Sequence, residues 1–107
     1  MELIDKKCVP CEGGTPTLSQ EESEKLLKQI PGWTLKENKI YANYRFKDFK
    51  QAVDFINKMA RVAEAEGHHP DFCVHYNKID ITLWTHAIGG LSENDFILAA
   101  KLNALKN

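Results

Sequence analysis

The clearest candidates for chemistry are four histidines, His68, His69, His75 and His86, gathered in one stretch of a 107-residue chain. Imidazole titrates near pH 6.5, so several rings together can give one proton and take another at neutral pH, with burial and neighbours deciding which ring does which. His68-His69-Pro70 reads as a connection, because Pro70 biases His69 toward extended backbone and keeps both rings off a continuing helix. His86 reads as the end of a strand, on the side of Thr82 and Trp84 and opposite Ile81 and Leu83, at an open rim. Taken singly, each is read as readily as a solvated polar residue. Two adjacent rings and a third at a strand end meeting in one cleft would make a proton-transfer site.

The same side chains are zinc ligands, but their spacing argues against a metal, and none is expected. His68 and His69 are adjacent, no His-x-x-x-His pair lies on a helix, and Cys8-Val9-Pro10-Cys11 has no second Cys-x-x-Cys. That motif also lacks the βαβ context of a redox site, so Cys8, Cys11 and Cys73 are read as reduced thiols. Among carboxylates, Asp95 has two readings, as the third residue of a capping box begun by Ser92 or as a group that orients a histidine. Glu64 stands one helical turn before His68, bordering the same cleft or facing solvent. Trp33 and Trp84 are read as packing aromatics or as platforms for a flat heterocycle.

Positioning these groups requires a scaffold whose elements alternate. Residues 1 to 17 carry Pro10, Gly13, Gly14 and Pro16 and read as a loop-like leader lying against the body. Ser19 to Glu22 has capping-box form, and Leu26, Leu27 and Ile30 continue a helix that Pro31-Gly32 ends. Trp33-Thr34-Leu35 and the run from Ile40 to Phe46 read as strands joined by a polar turn. Asp48 caps a helix whose wide apolar stripe takes in Phe49, Val53, Ile56, Ala60 and Ala63, with Ala52, Phe55, Met59 and Val62 beside them; it ends near Gly67. Such width predicts contact with a sheet on one side and a neighbouring subunit on the other. Phe72 to Asn77 and Ile79 to His86 alternate as a second hairpin, and a last helix carries Leu98, Leu102 and Leu105 behind a Leu91 to Phe96 staple. The order helix, hairpin, helix, hairpin, helix predicts a two-layer α+β fold in which helices cover one face of a four-stranded antiparallel sheet, with residues 1–107 as one domain.

Composition narrows the function. Lys and Arg number 14 against 15 Asp and Glu, a net charge of −1, which gives no global pull toward nucleic acid or anionic lipid. No run approaches the roughly 20 apolar residues of a membrane span, and no secretory leader is visible, so the chain is expected to be soluble and cytoplasmic.

Glu64-Ala65-Glu66-Gly67-His68-His69-Pro70, followed by Tyr76, His86 and Asp95, fills the pattern Glu-x3-His-His-Pro-x5-Tyr-x9-His-x8-Asp without a gap. With Gly32-Trp33, Phe46-Lys47-Asp48-Phe49 and Tyr76-Asn77-Lys78, the chain resembles the pterin-4a-carbinolamine dehydratase family over roughly residues 18 to 105. The leader from Lys7 to Gly14 looks like that of microbial and plant members. The resemblance implies dehydration of a 4a-hydroxytetrahydropterin to the quinonoid dihydropterin, with no metal or organic cofactor, in a homodimer or homotetramer. It implies a site of His68, His69 and His86, with His69 and His86 moving protons and His68 positioning and polarising the pterin. Glu64 and Asp95 match supporting positions, while Gly67, Pro70, Trp84, Thr85 and Ala87 would border the ring. Gly67, Phe72 and Ala87-Ile88 depart from the animal members, which bears on the substrate's identity. Relatives of the same fold act as a transcriptional dimerisation cofactor or in Rubisco assembly, so a non-catalytic binding module is the alternative. A pterin handler in another pathway is a third reading.

Overall fold

A computed structural model describes residues 2–10 and 16–106. Helix α1 (Gln20–Leu27) starts at the expected capping box: Ser19 Oγ accepts from the Glu22 N–H at 3.1 Å, and Glu22 Oε1 accepts from the Ser19 N–H at 3.0 Å. Strands β1 (Thr34–Lys36) and β2 (Lys39–Arg45) follow, with Lys36 paired to Lys39. Their turn is only Glu37-Asn38, both at positive φ (51° and 60°), the backbone of a tight hairpin whose twist matches its strands. Trp33 and Phe46, expected in the strands, lie just outside them. Trp33 instead packs in the core, edge-on to Tyr44, and donates its indole N–H to Asn103 Oδ1 at 3.0 Å.

Asp48 caps α2 (Phe49–Glu66) as predicted, accepting from the Gln51 N–H at 2.9 Å. The core-facing line is Ala52, Phe55, Met59 and Ala63, whereas Phe49 and Ala60 are exposed and Val53 and Ile56 only half-buried. Both lines have helical spacing, and the register was settled by which large side chains the sheet could accommodate, Phe55 against Tyr44 and Phe46. The predicted stripe was therefore correct in extent and displaced in centre.

Strands β3 (Asp71–His75) and β4 (Lys78–Leu83) form the second hairpin around Tyr76-Asn77. The sheet is antiparallel in the order β1-β2-β4-β3, so β3 is an edge. Ile40 opposite Leu83, Ala42 opposite Ile81 and Tyr44 opposite Ile79 are buried beneath the helices. Each such large apolar side chain stabilises the fold by about 1.5–3 kcal/mol. The intervening residues face away, Asn43 and Asp80 exposed and Tyr41 and Thr82 half-buried. The α+β fold is thus the expected one, helices over one sheet face. Helix α3 (Glu93–Lys106) is buried more completely than its leucine stripe implied, from Asn94 through Ala99 and again at Leu102.

The leader is more structured than a loop. Leu3–Asp5 form a 3-10 turn that seats Leu3 in the same core, against α3. Further along, the Leu18 N–H donates to the Leu91 carbonyl at 2.9 Å. Gly90 permits that approach, because a Cβ there would lie 2.7 Å from Thr17 Cγ2. Cys11, Gly13 and Gly14 lie outside the described residues.

Candidate active site

Three chain connections meet at one end of the sheet. Gly67 ends α2 in the left-handed conformation (φ 66°), which turns the chain sharply and sends His68, His69 and Pro70 into β3. On the other side β4 stops at Leu83, earlier than expected, so His86 is not a strand end. Thr85 and Gly90 bridge, with the Thr85 N–H donating to the Gly90 carbonyl at 2.8 Å, and between them His86–Ile88 form a 3-10 turn that Gly89 caps. The third connection is the start of α3, where Asp95 Oδ2 accepts from the Ser92 N–H at 2.9 Å.

Each of three imidazoles faces its own carboxylate, and the hold on them is graded. His68 is tied most firmly: its Nε2 is 2.6 Å from Asp95 Oδ1, with His68 12% and Asp95 0% exposed. Asp95 is itself fixed, since Oδ2 also accepts from the Thr85 hydroxyl at 2.8 Å, and Ser92 Oγ lies 2.7 Å from Thr85 Oγ1. Asp95 thus supplies one half of the expected capping box, accepting from the Ser92 N–H while Ser92 Oγ turns to Thr85, and it also faces His68. With Nε2–H given to Asp95, the lone pair of neutral His68 sits at Nδ1. His69 pairs through Nε2 with Glu64, whose side chain is 76% exposed. His86 is held loosely, its Nε2 3.7 Å from Asp71 Oδ2, beyond a direct hydrogen bond. His69 and His86 are exposed alike, at 61% and 60%.

Trp84 organises the His86 side. Its ring stacks on His86 at 4.0 Å between centroids, its N–H donates to Asp71 Oδ2 at 3.3 Å, and Lys39 Nζ lies 4.7 Å from its centroid. An indole face is thus already occupied by an imidazole.

His68, His69 and His86 line one open cavity of about 380 Å³, within the range of about 300–1,000 Å³ usual for small-molecule sites. Gly67, Pro70, Trp84, Thr85 and Ala87 line it too, and Asp95 stands behind His68. Glu64 is not in this lining and borders a smaller apolar hollow shared with His69. His75 does not join the cluster: it sits at the far end of β3, 3.4 Å from Asp80. Among the described residues no three His, Cys, Asp or Glu side chains are grouped to hold a metal ion.

Sequence reasoning missed four lining residues, Val9, Pro10, Asp71 and Asn94. Asp71 was signalled only by strand register, since it pairs with Thr82 at the end of β3 nearest the histidines. Val9 and Pro10 carried no signal, because their placement depends on contacts with residues some 85 positions away.

Residues 16–105 match the family model described as pterin 4 alpha carbinolamine dehydratase, and the chain belongs to that family. It is 53% identical over 105 residues to a protein of Nitrosomonas europaea, covering 97% of this chain and 93% of that one. It is 46% identical over 105 residues to one of Rubrobacter xylanophilus, covering 97% and 98%. Both carry the name "Putative pterin-4-alpha-carbinolamine dehydratase". In structure it is similar to the crystallised transcriptional coactivator/pterin dehydratase of Brucella melitensis, with a TM-score of 0.83 and 34% identity, covering 86% of this chain and all of that one (100%). Among the described residues no helix is long and apolar enough to cross a membrane.

Proposed function

We propose that this chain dehydrates a 4a-hydroxytetrahydropterin to the quinonoid dihydropterin and water. The observation that carries the reading is the convergence of His68, His69 and His86 on one cavity of small-molecule size, in a chain of this family. In the reaction the C4a–O bond breaks, the leaving hydroxide takes a proton to become water, N5 loses its proton, and a C4a=N5 double bond forms. Protons balance, so one group donates and another accepts. His69 and His86 fit these two tasks, because both are exposed to the cavity and each has a carboxylate nearby. His68, locked to Asp95, fits the third, holding and polarising the pterin. Nothing in this scheme calls for a cofactor.

The direct test is the rate of dehydration of a 4a-hydroxytetrahydropterin, followed by stopped-flow absorbance. His69→Ala and His86→Ala should each remove about 10²- to 10⁴-fold of the acceleration, the usual contribution of a positioned acid or base. Unchanged turnover in both would retire the assignment.

The protein is inferred to act in the cytoplasm as a homodimer or homotetramer. The uncovered flank of α2 at Phe49 and the exposed Phe72 on edge strand β3 support self-association. A binding role is the second reading, favoured by the coactivator description of the Brucella neighbour. A stoichiometric protein partner recovered in the absence of pterin chemistry would favour it.

A further inference from the structure

The leader contributes a wall of the cavity, and it is clamped to the two helix ends that hold the site. The Cys8 N–H donates to Glu66 Oε1 at 2.8 Å, and Glu66 Oε2 accepts from Lys101 at 2.9 Å. Burial pushes the Glu66 carboxyl up, but the bonds from Lys101 and Cys8 and the Lys101 charge outweigh it and hold it below the ordinary range. One residue on, the Val9 N–H donates to Asn94 Oδ1 at 3.0 Å, and Asn94 Nδ2 donates back to the Val9 carbonyl at 2.6 Å. Cys8 Sγ adds a contact of 3.5 Å to the Asn94 carbonyl. Glu66 is two residues before His68, and Asn94 immediately precedes Asp95, so the groups that fix the leader and those that fix His68 share the same backbone. The clamp leaves Val9 64% exposed at the rim with Pro10 beside it, two apolar side chains on the leader's side of a cavity whose other walls carry Pro70, Trp84 and Ala87 along with the three imidazoles and Asp71. Both lie outside the residues 16–105 that the family model matches.

We propose that Val9 and Pro10 form a fixed wall of the substrate cavity that sets how tightly and how selectively a reduced pterin binds, an inference that rests on the pterin reading above. Two compact apolar side chains suit the edge or face of a saturated ring, where the imidazoles suit its polar atoms. Held by two pairs of hydrogen-bonding groups and not by the ligand, the wall is preorganised, so little ordering opposes its contact with substrate.

The test uses the full chain with Val9→Ser and Pro10→Gly combined. The Kd of tetrahydrobiopterin, which lacks the 4a-hydroxyl and does not react, should rise about five- to tenfold, the loss expected when roughly half the contact area of two small apolar side chains returns to water. KM for the 4a-hydroxy substrate should rise in parallel while kcat stays within about twofold, since no proton carrier has changed. The preference for tetrahydrobiopterin over 6-methyltetrahydropterin should shrink. Glu66→Ala, outside the cavity, frees the Cys8 N–H and should raise Kd about two- to fivefold. A Kd within about twofold of wild type in the Val9/Pro10 variant overturns the wall, given that the typical loss above would exceed it. Wild-type protein that binds tetrahydrobiopterin without dehydrating its 4a-hydroxy form overturns the dehydratase reading alone, and the Kd comparison still decides the wall. Wild-type protein that binds no tetrahydrobiopterin overturns both.

Discussion

Asparagine in place of Asp95 separates positioning from folding, because it preserves shape and removes one acceptor. Asp95 accepts on both oxygens: Oδ1 from His68 at 2.6 Å, and Oδ2 from the Thr85 hydroxyl at 2.8 Å and the Ser92 N–H at 2.9 Å. An amide can keep only one of these sides. If its NH2 faced Ser92, two donors would oppose each other in a fully buried place, at about 1–3 kcal/mol for the orphaned backbone group. If its NH2 faces His68, the imidazole can answer by moving its proton from Nε2 to Nδ1, so that one amide N–H meets the Nε2 lone pair while Ser92 and Thr85 keep their acceptor. The second arrangement wins. The fold should therefore survive with a loss of about 1–2 kcal/mol, the charge-assisted bond becoming an ordinary one.

His68 then presents a donor at Nδ1 where the native ring presents a lone pair. If that ring polarises the pterin, the transition state loses an oriented hydrogen bond, and kcat/KM should fall about 10- to 100-fold. Nitrogen-15 NMR of the imidazoles should show the changed tautomer, urea unfolding the small stability loss, and stopped-flow absorbance the rate. Native kcat/KM with the tautomer changed would refute the role given to His68. An unchanged tautomer would refute the hydrogen-bond reasoning itself.

Gly67→Ala should cost about 1 kcal/mol in urea unfolding, because nothing crowds its Cβ position but the φ of 66° disfavours any L side chain. A variant as stable as wild type would show that the turn after α2 adopts another geometry. Burial pushes the Tyr44 hydroxyl up to about 12, and burial followed by the Glu66 charge pushes the Cys8 thiol to about 12. Both stay protonated in the folded chain while the unfolded chain ionises at their ordinary 10.0 and 9.0, so stability is complete below pH 9 and is lost as pH rises toward 12. Urea midpoints from pH 8 to 11 should fall, and Tyr44→Phe should flatten the decline above pH 10; a flat wild-type profile would contradict it. Sedimentation should show more than one copy per particle, with Phe72→Asp on edge strand β3 shifting it toward monomer, and a single-copy wild type would rule out self-association.

What was legible in the sequence had local causes. The Ser19 capping box, the Asp48 cap and the glycine after Glu66 are written within four residues of the features they create, and each lies where expected. Alternation across the second hairpin likewise marked Ile79, Ile81 and Leu83 as core. The errors arose where distant parts of the chain decide. His86 lies beyond its strand because the Thr85 bridge to Gly90 ends the ladder, and that bridge is stabilised by Ser92 and Asp95 on the following helix. The choice between cleft and solvent for Glu64 was open for the same reason: Gly67 turns His68 inward toward Asp95 and leaves Glu64 to pair with His69 at the surface, which helical spacing along one element does not reveal. His75 shared the cluster in sequence but lies one strand length away, at the hairpin end of β3.

On the proposed dehydratase reading, the graded hold on the three rings bears on how the work would be divided among them. A group that cycles its charge during turnover must gain and lose a proton without leaving an unpaired charge in a dry place. His68 and Asp95 are poorly suited to that cycle: the ring is nearly enclosed, the carboxylate is fully so, and any proton reaching His68 changes a network that also includes Thr85 and Ser92. His69 and His86 are more than half exposed, so water and a nearby carboxylate can stabilise either charge state. Their holds differ. His69 meets Glu64 at the surface, whereas His86 is stacked on Trp84 with Asp71 3.7 Å away. Donation and acceptance need not be simultaneous, and on the proposed reading two exposed rings from separate connections can meet the leaving hydroxyl and N5. Burial, which sequence periodicity hardly registered at these positions, is thus what distinguishes three chemically identical side chains.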